Sequence, residues 1–119
     1  MNIINSILRD LAIGKNYKGH REIMYAIQLL LEDEDRLYAV VKRVYIPVAE
    51  HFGTDWTAVE RNLRTAILKA WRVRRQRLFE IAGYEMEYPP TGSEFLDILL
   101  SHVQRKMDDA QKIITFTDI

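Results

Sequence analysis

Residues 45–72 constrain the fold more than any other stretch, because they predict two helices joined by a tight turn. The first helix, residues 45–52, carries Pro47 in its first turn, where the amide that proline lacks has no partner within the helix. Gly53 follows at the position where a left-handed residue commonly ends a helix. The second helix is thereby expected to pack closely against the first.

The sequence leaves the start of the second helix open but indicates its inner and outer faces. Thr54 or Asp55 can cap it, whereas Thr57 with Glu60 forms a rival capping box one turn later. Apolar residues at helical spacing predict the inner face: Trp56, Val59, Leu63, Ala66, Ile67, Ala70 and Trp71. Polar and small residues predict the outer face: Thr57, Ala58, Arg61, Asn62, Thr65, Lys69 and Arg72, with Arg64 at its edge. This pattern is typical of a helix-turn-helix, although a generic helical hairpin would share most of it.

Charge is balanced over the chain but not along it. The 119 residues carry 17 basic and 17 acidic side chains, for a formal net charge of zero. Between residues 56 and 77 Glu60 is the only acid, and the bases are Arg61, Arg64, Lys69, Arg72, Arg74, Arg75 and Arg77. A basic stripe on a neutral domain indicates contact with phosphate backbones. The plainer alternative is that these long side chains only solvate a helix.

The other segments also predict helices and offer no partner strand. Apolar residues recur at helical spacing in residues 3–13, 20–32, 37–44, 78–82 and 93–103. Gly14 and Gly83 are expected to end helices, and Ser93 to cap the last one. We predict one all-α domain, a bundle of about six helices with a central helix-turn-helix, over residues 1–106. Residues 107–119 remain a C-terminal tail of unassigned structure, whose Ile113, Ile114 and Phe116 could dock on the domain or on a neighbour.

No pattern indicates an enzyme, a metal site or a membrane span. The chain has no cysteine, and His20, His51 and His102 lack the spacing of metal ligands. No phosphate-binding loop or nucleophile motif occurs, and no apolar run is long enough to cross a bilayer. We therefore expect a cytoplasmic protein that is not an enzyme and takes no metal or cofactor.

Several short runs are similar to those of one known family. They are Lys18-Gly19, Glu32-Asp33, Val59-Glu60-Arg61, Arg64, Ala66-Ile67, Ala70-Trp71, Gly83-Tyr84 and Pro90-Thr91-Gly92-Ser93-Glu94-Phe95. On these runs the chain resembles the C-terminal DNA-binding domain of stage zero sporulation protein A, the response regulator that starts sporulation. The resemblance implies a helical bundle that binds a short DNA box, often as paired copies, so a homodimer on double-stranded DNA is one expectation.

The resemblance also implies that residues 55–72 enter the major groove as a recognition helix. Glu60, Arg61 and Arg64 match positions that the family uses near the bases. Arg61 points outward and can donate twice to a guanine edge; Glu60 can accept from a cytosine or pair with Arg64, and Arg64 can reach a phosphate. The predicted DNA-contacting residues are Thr57, Ala58, Glu60, Arg61, Arg64, Thr65, Lys69, Arg72, Arg74 and Arg75.

Four departures from the family pattern bear on function. Ala58 replaces an arginine, which should alter readout at one base by about 1–3 kcal/mol if that contact was bidentate. Leu68 and Lys69 replace an acidic and an apolar residue. Residues 72–81 differ most; the family region they match is associated with activating RNA polymerase, so polymerase is only a candidate partner. The chain starts at Met1 with the first effector helix and without a receiver domain, which favours a free-standing relative over a fragment.

Two hypotheses follow. The leading one is a sequence-specific, DNA-binding transcriptional regulator of the sporulation-initiation type. The alternative is a protein-interaction module that modulates a transcription factor without reading DNA, and it rests on Ala58, Leu68 and the apolar tail. The target box, activation or repression, and the oligomeric state are not determined by the sequence.

Overall fold

The computed structural model describes the backbone of residues 2–117 and the side chains of residues 3–111. Within residues 2–117 there is no strand, and the α-helices are α1 (Asn2–Asp10), α2 (Lys18–Glu32), α3 (Ile46–Phe52), α4 (Trp56–Val73), α5 (Arg75–Ala82) and α6 (Gly92–Thr117). A 3-10 helix, Glu34–Ala39, and a π-helical turn, Val41–Tyr45, lie between α2 and α3. The all-α bundle of about six helices is therefore confirmed.

Helix α2 lies at the centre of the bundle, as its broad apolar surface predicts. It packs against α1, α3, α4 and α6, and Ile23, Ala26, Ile27 and Leu30 are all buried. Each large aliphatic side chain buried in this way contributes about 1.5–3 kcal/mol relative to an exposed one. The helix therefore serves as the support on which α4 is placed.

Residues 34–52 form one helical run whose geometry changes twice before α3. The sequence predicts a helix here, but the structure has a 3-10 helix and then a π-helical turn that runs into α3 without a break. Pro47 does lie in the first turn of α3, yet no free helix end precedes it. Because proline cannot donate to the carbonyl of Arg43 four residues earlier, Arg36 Nη1 donates to that oxygen instead, at 2.8 Å.

The sequence predicts that Gly83 and Gly14 each end a helix, and the structure confirms only the first. Gly83 ends α5 with a left-handed φ of 87°, as predicted. Gly14 does not end α1, which stops at Asp10, and Ala12 takes the left-handed φ of 64° instead. The amide of Ile13 then donates to the carbonyl of Leu8 at 2.8 Å, which closes the helix one turn earlier than the glycine position suggested.

Helix α6 begins at Gly92 with a capping box formed by Thr91 and Glu94. The Glu94 amide donates to Thr91 Oγ1 at 3.2 Å, and the Thr91 amide donates to Glu94 Oε1 at 2.9 Å. The backbone amide of Thr91 first, and its side-chain hydroxyl second, lower the pKa of the Glu94 carboxyl below its usual range. The expectation that Ser93 caps this helix is wrong, because the helix already begins at Gly92 and Ser93 lies inside its first turn, after the Thr91 cap.

The far end of α6 continues through Thr117, so residues 107–117, left unassigned by the sequence, have a helical backbone. The side chains of Ile113, Ile114 and Phe116, which were expected to dock, lie outside the described side chains. Within the described residues no helix is long and apolar enough to cross a membrane.

Candidate nucleic-acid interface

The turn between α3 and α4 is built by Gly53 and Asp55. Gly53 has a left-handed φ of 68°, a conformation that glycine adopts without a steric penalty. Asp55 caps α4: its Oδ1 accepts the Ala58 amide at 3.0 Å and the Thr57 hydroxyl. These bonds hold the pKa of the Asp55 carboxyl below its usual range. Asp55 is thus the cap among the candidates, and the rival box at Thr57 does not form.

The inner face of α4 matches the predicted spacing except at its first residue. The fully apolar middle of the face is buried: Val59, Leu63, Ala66, Ile67 and Ala70. Trp71 is half-buried and meets Phe79 edge to face at 5.9 Å between ring centroids. The prediction for Trp56 is wrong, because 37% of this residue is exposed in the first turn of the helix.

Helix α2 sets the position of α4 through a close crossing and a buried polar pair. A Cβ atom on Gly19 would lie 2.7 Å from the carbonyl oxygen of Asn62, so the two backbones nearly touch. Asn62 Nδ2 donates to Glu22 Oε1 at 2.9 Å, and Glu22 is only 4% exposed. Burial raises the pKa of the Glu22 carboxyl, and the bond from Asn62 offsets part of that shift. The expectation that Asn62 faces outward is therefore wrong.

The first turns of α4 present an arginine that no described side chain pairs with. Arg61 is exposed and makes no ion pair within the described side chains. Its neighbour Arg64 is also exposed, but its Nη2 donates to Glu60 Oε1 at 2.9 Å, so the ion-pair alternative for Glu60 is the one formed here. Such a pair stabilises a helix by only about 0.2–0.5 kcal/mol, so DNA could displace it readily.

The small side chains around Arg61 have different exposures. Thr57 and Thr65 are exposed, whereas Ala58 is half-buried. The Thr65 hydroxyl donates to the carbonyl of Arg61 at 3.1 Å, so it is occupied by its own helix. Thr57 is likewise bound to the capping carboxylate. Arg61 is therefore flanked by short side chains whose hydroxyl groups are already bonded.

The remaining predicted residues lie at the second half of α4 and its junction with α5. Arg72 is exposed, and Lys69 Nζ lies 5.9 Å from the ring centroid of Tyr17. The helix breaks at Arg74, whose φ of −135° and ψ of 39° separate α4 from α5. The Arg75 guanidinium stacks over Trp71 at 4.2 Å and its Nε donates to the Trp71 carbonyl at 3.2 Å. Of these bases, Lys69 and Arg74 line one groove, whereas Arg75 packs against Trp71.

Sequence spacing missed basic and polar groups that come from outside α4. The connector between α1 and α2 lies beside the second half of α4, where a groove is lined by Arg9, Asn16, Tyr17, Lys69, Val73 and Arg74. Residues this far apart in the chain share no periodicity, so no helical pattern in the sequence could bring them together. The sequence treated residues 15–19 as a connector only.

A second groove, on the other flank of α4, is apolar. Leu68 is 42% exposed there, and its neighbours in the groove include Val40, Val41, Ile67 and Pro89. Glu60 and Arg64 also line this groove. An exposed leucine in such a setting is the feature that an interaction surface would need.

The described residues contain no group of three or more histidine, cysteine, aspartate or glutamate side chains able to hold a metal ion.

In comparison with known proteins, the family model described as "Sporulation initiation factor Spo0A C terminal" matches residues 4–103. The match spans α1 to α5 and the first part of α6, and it includes the whole of the helix-turn-helix.

Proposed function

Because the chain belongs to this family of DNA-binding regulators of sporulation initiation, we propose that it recognises a specific DNA sequence through α4. The family is not an enzyme family. The observation that carries the proposal is the exposed guanidinium of Arg61, which stands in the second turn of α4 and forms no ion pair with any described carboxylate. A helix-turn-helix places the start of its second helix against the base edges of the major groove.

The geometry around Arg61 supports base reading rather than backbone contact alone. Its neighbours Thr57 and Thr65 are short and already bonded within the helix, so Arg61 is the longest of the three side chains and the one that can reach a base edge. An arginine in this position donates two parallel hydrogen bonds to O6 and N7 of guanine. Glu60 and Arg64 exchange their ion pair for contacts with a cytosine amino group and a phosphate, respectively.

The basic residues beyond Arg64 supply affinity in the proposal. Lys69, Arg72, Arg74 and Arg75 follow along α4 and its junction with α5, and their charges neutralise backbone phosphates. Each phosphate contact releases condensed counterions, so binding weakens as salt concentration rises. The protein acts on chromosomal DNA in the cytoplasm. Dimerisation on paired half-sites and contact with RNA polymerase are further proposals, and both rest on the family alone.

The test is selection of bound duplexes from a random DNA pool at near-physiological salt, using wild type, Arg61→Ala and Arg72→Ala. Wild type should enrich a defined motif, and Arg61→Ala should lose the preference for guanine at one position, with a penalty of about 1–3 kcal/mol. Arg72→Ala is the matched arginine on the same helix, and it should weaken binding to all sequences while keeping the motif. Paired copies of the motif would support a dimer.

Absence of any enriched motif in the wild-type pool would refute specific reading of DNA by α4.

A second function, a protein-interaction module, is favoured by exposed Leu68 in its apolar groove. That function predicts that Leu68→Asp abolishes regulation, whereas Arg61→Ala leaves regulation unchanged. The two variants therefore separate the hypotheses in one reporter assay, because specific DNA reading predicts the opposite order of sensitivity.

A further inference from the structure

The groove beside the second half of α4 is basic and uncompensated. Its charged side chains are Arg9 from α1 and Lys69 and Arg74 from α4 and its end, and none of the described side chains that line it is acidic. Asp10, the acid next in sequence to Arg9, is instead bound to Arg77 at 3.2 Å. Cationic groups from two separate parts of the chain thus converge without a carboxylate between them.

Residues of the α1–α2 connector position Lys69 on this groove and add a hydrogen-bond donor. Tyr17 is half-buried, and its ring lies under the ammonium of Lys69 at 5.9 Å, which keeps the lysine on the groove rather than free in solvent. Asn16 is exposed on the same wall and its amide is a hydrogen-bond donor. The ligand that matches three cations, an amide donor and no acidic side chain is an anion such as a phosphate group.

Buried His20, near the start of α2, also interacts with the positive charges of this region. Burial lowers the pKa of the His20 imidazole most, and the positive charges of Lys15 and Arg9 lower it further. Asn5 Oδ1 shares a hydrogen bond with His20 Nε2 at 3.0 Å. The basic charges at the α1–α2 connector are therefore close enough to be felt in the protein interior as well as at its surface.

The distance from Arg61 to Lys69 along α4 is about the same as the width of the major groove of DNA. An α-helix rises about 1.5 Å per residue, so Lys69 is about 12 Å further along α4 than Arg61. The major groove of B-DNA is about 12 Å wide. A docked α4 that places Arg61 on a base edge can therefore bring Lys69 to a backbone phosphate at the rim of the groove.

We propose that the groove between the α1–α2 connector and the end of α4 holds a backbone phosphate of the bound DNA, with Arg9, Lys69 and Arg74 as its cationic partners. This inference rests on the proposed function, since it uses the same docked orientation of α4. It adds α1 and the connector, which lie outside the helix-turn-helix, to the DNA-contacting surface. The contact is insensitive to base identity and fixes the register of α4 on the duplex.

The experiment measures the affinity for a selected duplex and for a scrambled duplex by fluorescence anisotropy over a series of salt concentrations. The proteins are wild type, Arg9→Ala, Arg61→Ala and a control, Lys106→Ala, which removes an exposed charge from α6 away from the groove. Arg9 is exposed and makes no hydrogen bond or ion pair among the described side chains, so the variant should fold; circular dichroism checks this.

Arg9→Ala should reduce the slope of log K against log salt by about 0.9, the value for one phosphate, and weaken both duplexes by about fivefold at about 0.15 M salt. Lys106→Ala should leave the slope unchanged. A wild-type slope in Arg9→Ala, or an equal loss in Lys106→Ala, would overturn the inference while the base preference lost in Arg61→Ala still supports the proposed function. Wild type that binds neither duplex would overturn both.

Discussion

The crossing of α2 and α4 at Gly19 predicts that adding one methyl group there loosens the packing of α4 against α2. In Gly19→Ala the new Cβ would lie 2.7 Å from the carbonyl oxygen of Asn62, whereas an ordinary carbon–oxygen contact is at least about 3.3 Å. Because the obstacle is backbone, the helices must separate by about 0.6 Å. Overpacking of this kind costs about 1–3 kcal/mol, against a gain of roughly 1 kcal/mol from alanine in a helix.

We expect a net loss of up to about 2 kcal/mol in the free energy of unfolding of Gly19→Ala, which corresponds to a fall in Tm of up to roughly 8 °C. The assay is urea unfolding followed by circular dichroism. Gly14→Ala is the matched control, since its Cβ would lie 2.8 Å from Asn16 Oδ1, the end of a flexible exposed side chain, and its stability should change by less than about 0.5 kcal/mol.

A Gly19→Ala variant that is more stable than wild type would refute the reasoning, because it would mean that α2 and α4 do not approach as closely as described. The same variant should bind the selected duplex more weakly, since the carbonyl that must move belongs to the residue after Arg61. Gly14→Ala should retain wild-type discrimination between bases. Equal losses of discrimination in both variants would assign the effect to something other than the helix crossing.

Two further predictions concern pH. Burial raises the pKa of Glu22 above its ordinary value of 4.5, so its protonated form favours the folded state, and stability should fall as pH rises through the raised pKa. Glu22→Gln keeps an acceptor for Asn62 and should remove that fall in urea midpoints; a curve parallel to wild type would contradict this. The pKa of Asp55 is lowered from 3.8 by Thr57 and Ala58, so the advantage of wild type over Asp55→Ala should be present above 3.8 and vanish as pH falls through the lowered pKa. Thermal melts that stay separated in strong acid would exclude that role.

The helix-turn-helix could be predicted because its signals are local. Gly53, the Asp55 cap and the apolar spacing of α4 each act within a few residues, and local preferences that agree with the tertiary fold are reliable. Trp56 was misplaced because the first turn of a helix lies at the edge of the packed face. The choice between caps was open in the sequence, since Thr57 is a good capping residue whose hydroxyl is here engaged by Asp55.

The features that escaped prediction depend on partners far along the chain. Asn62 fits the polar face by spacing, but its amide bonds to Glu22, a residue of another helix. The groove that includes Arg9 and Lys69 likewise exists only because the α1–α2 connector passes beside α4. Periodicity describes one helix at a time, so it cannot show which polar residue will be turned toward a neighbouring helix.

The π-helical turn before α3 determines how the loss of one residue would change the segment that precedes it. A π-helical turn contains one residue more than an α-helical turn, and one residue in a helix corresponds to a rotation of about 100°. Removing a residue from Val41–Tyr45 would rotate the preceding 3-10 helix about the axis and carry Arg36 away from the carbonyl of Arg43. Related chains that differ by one residue here would therefore keep α3 and α4 unchanged but present a different side of residues 34–39 to solvent.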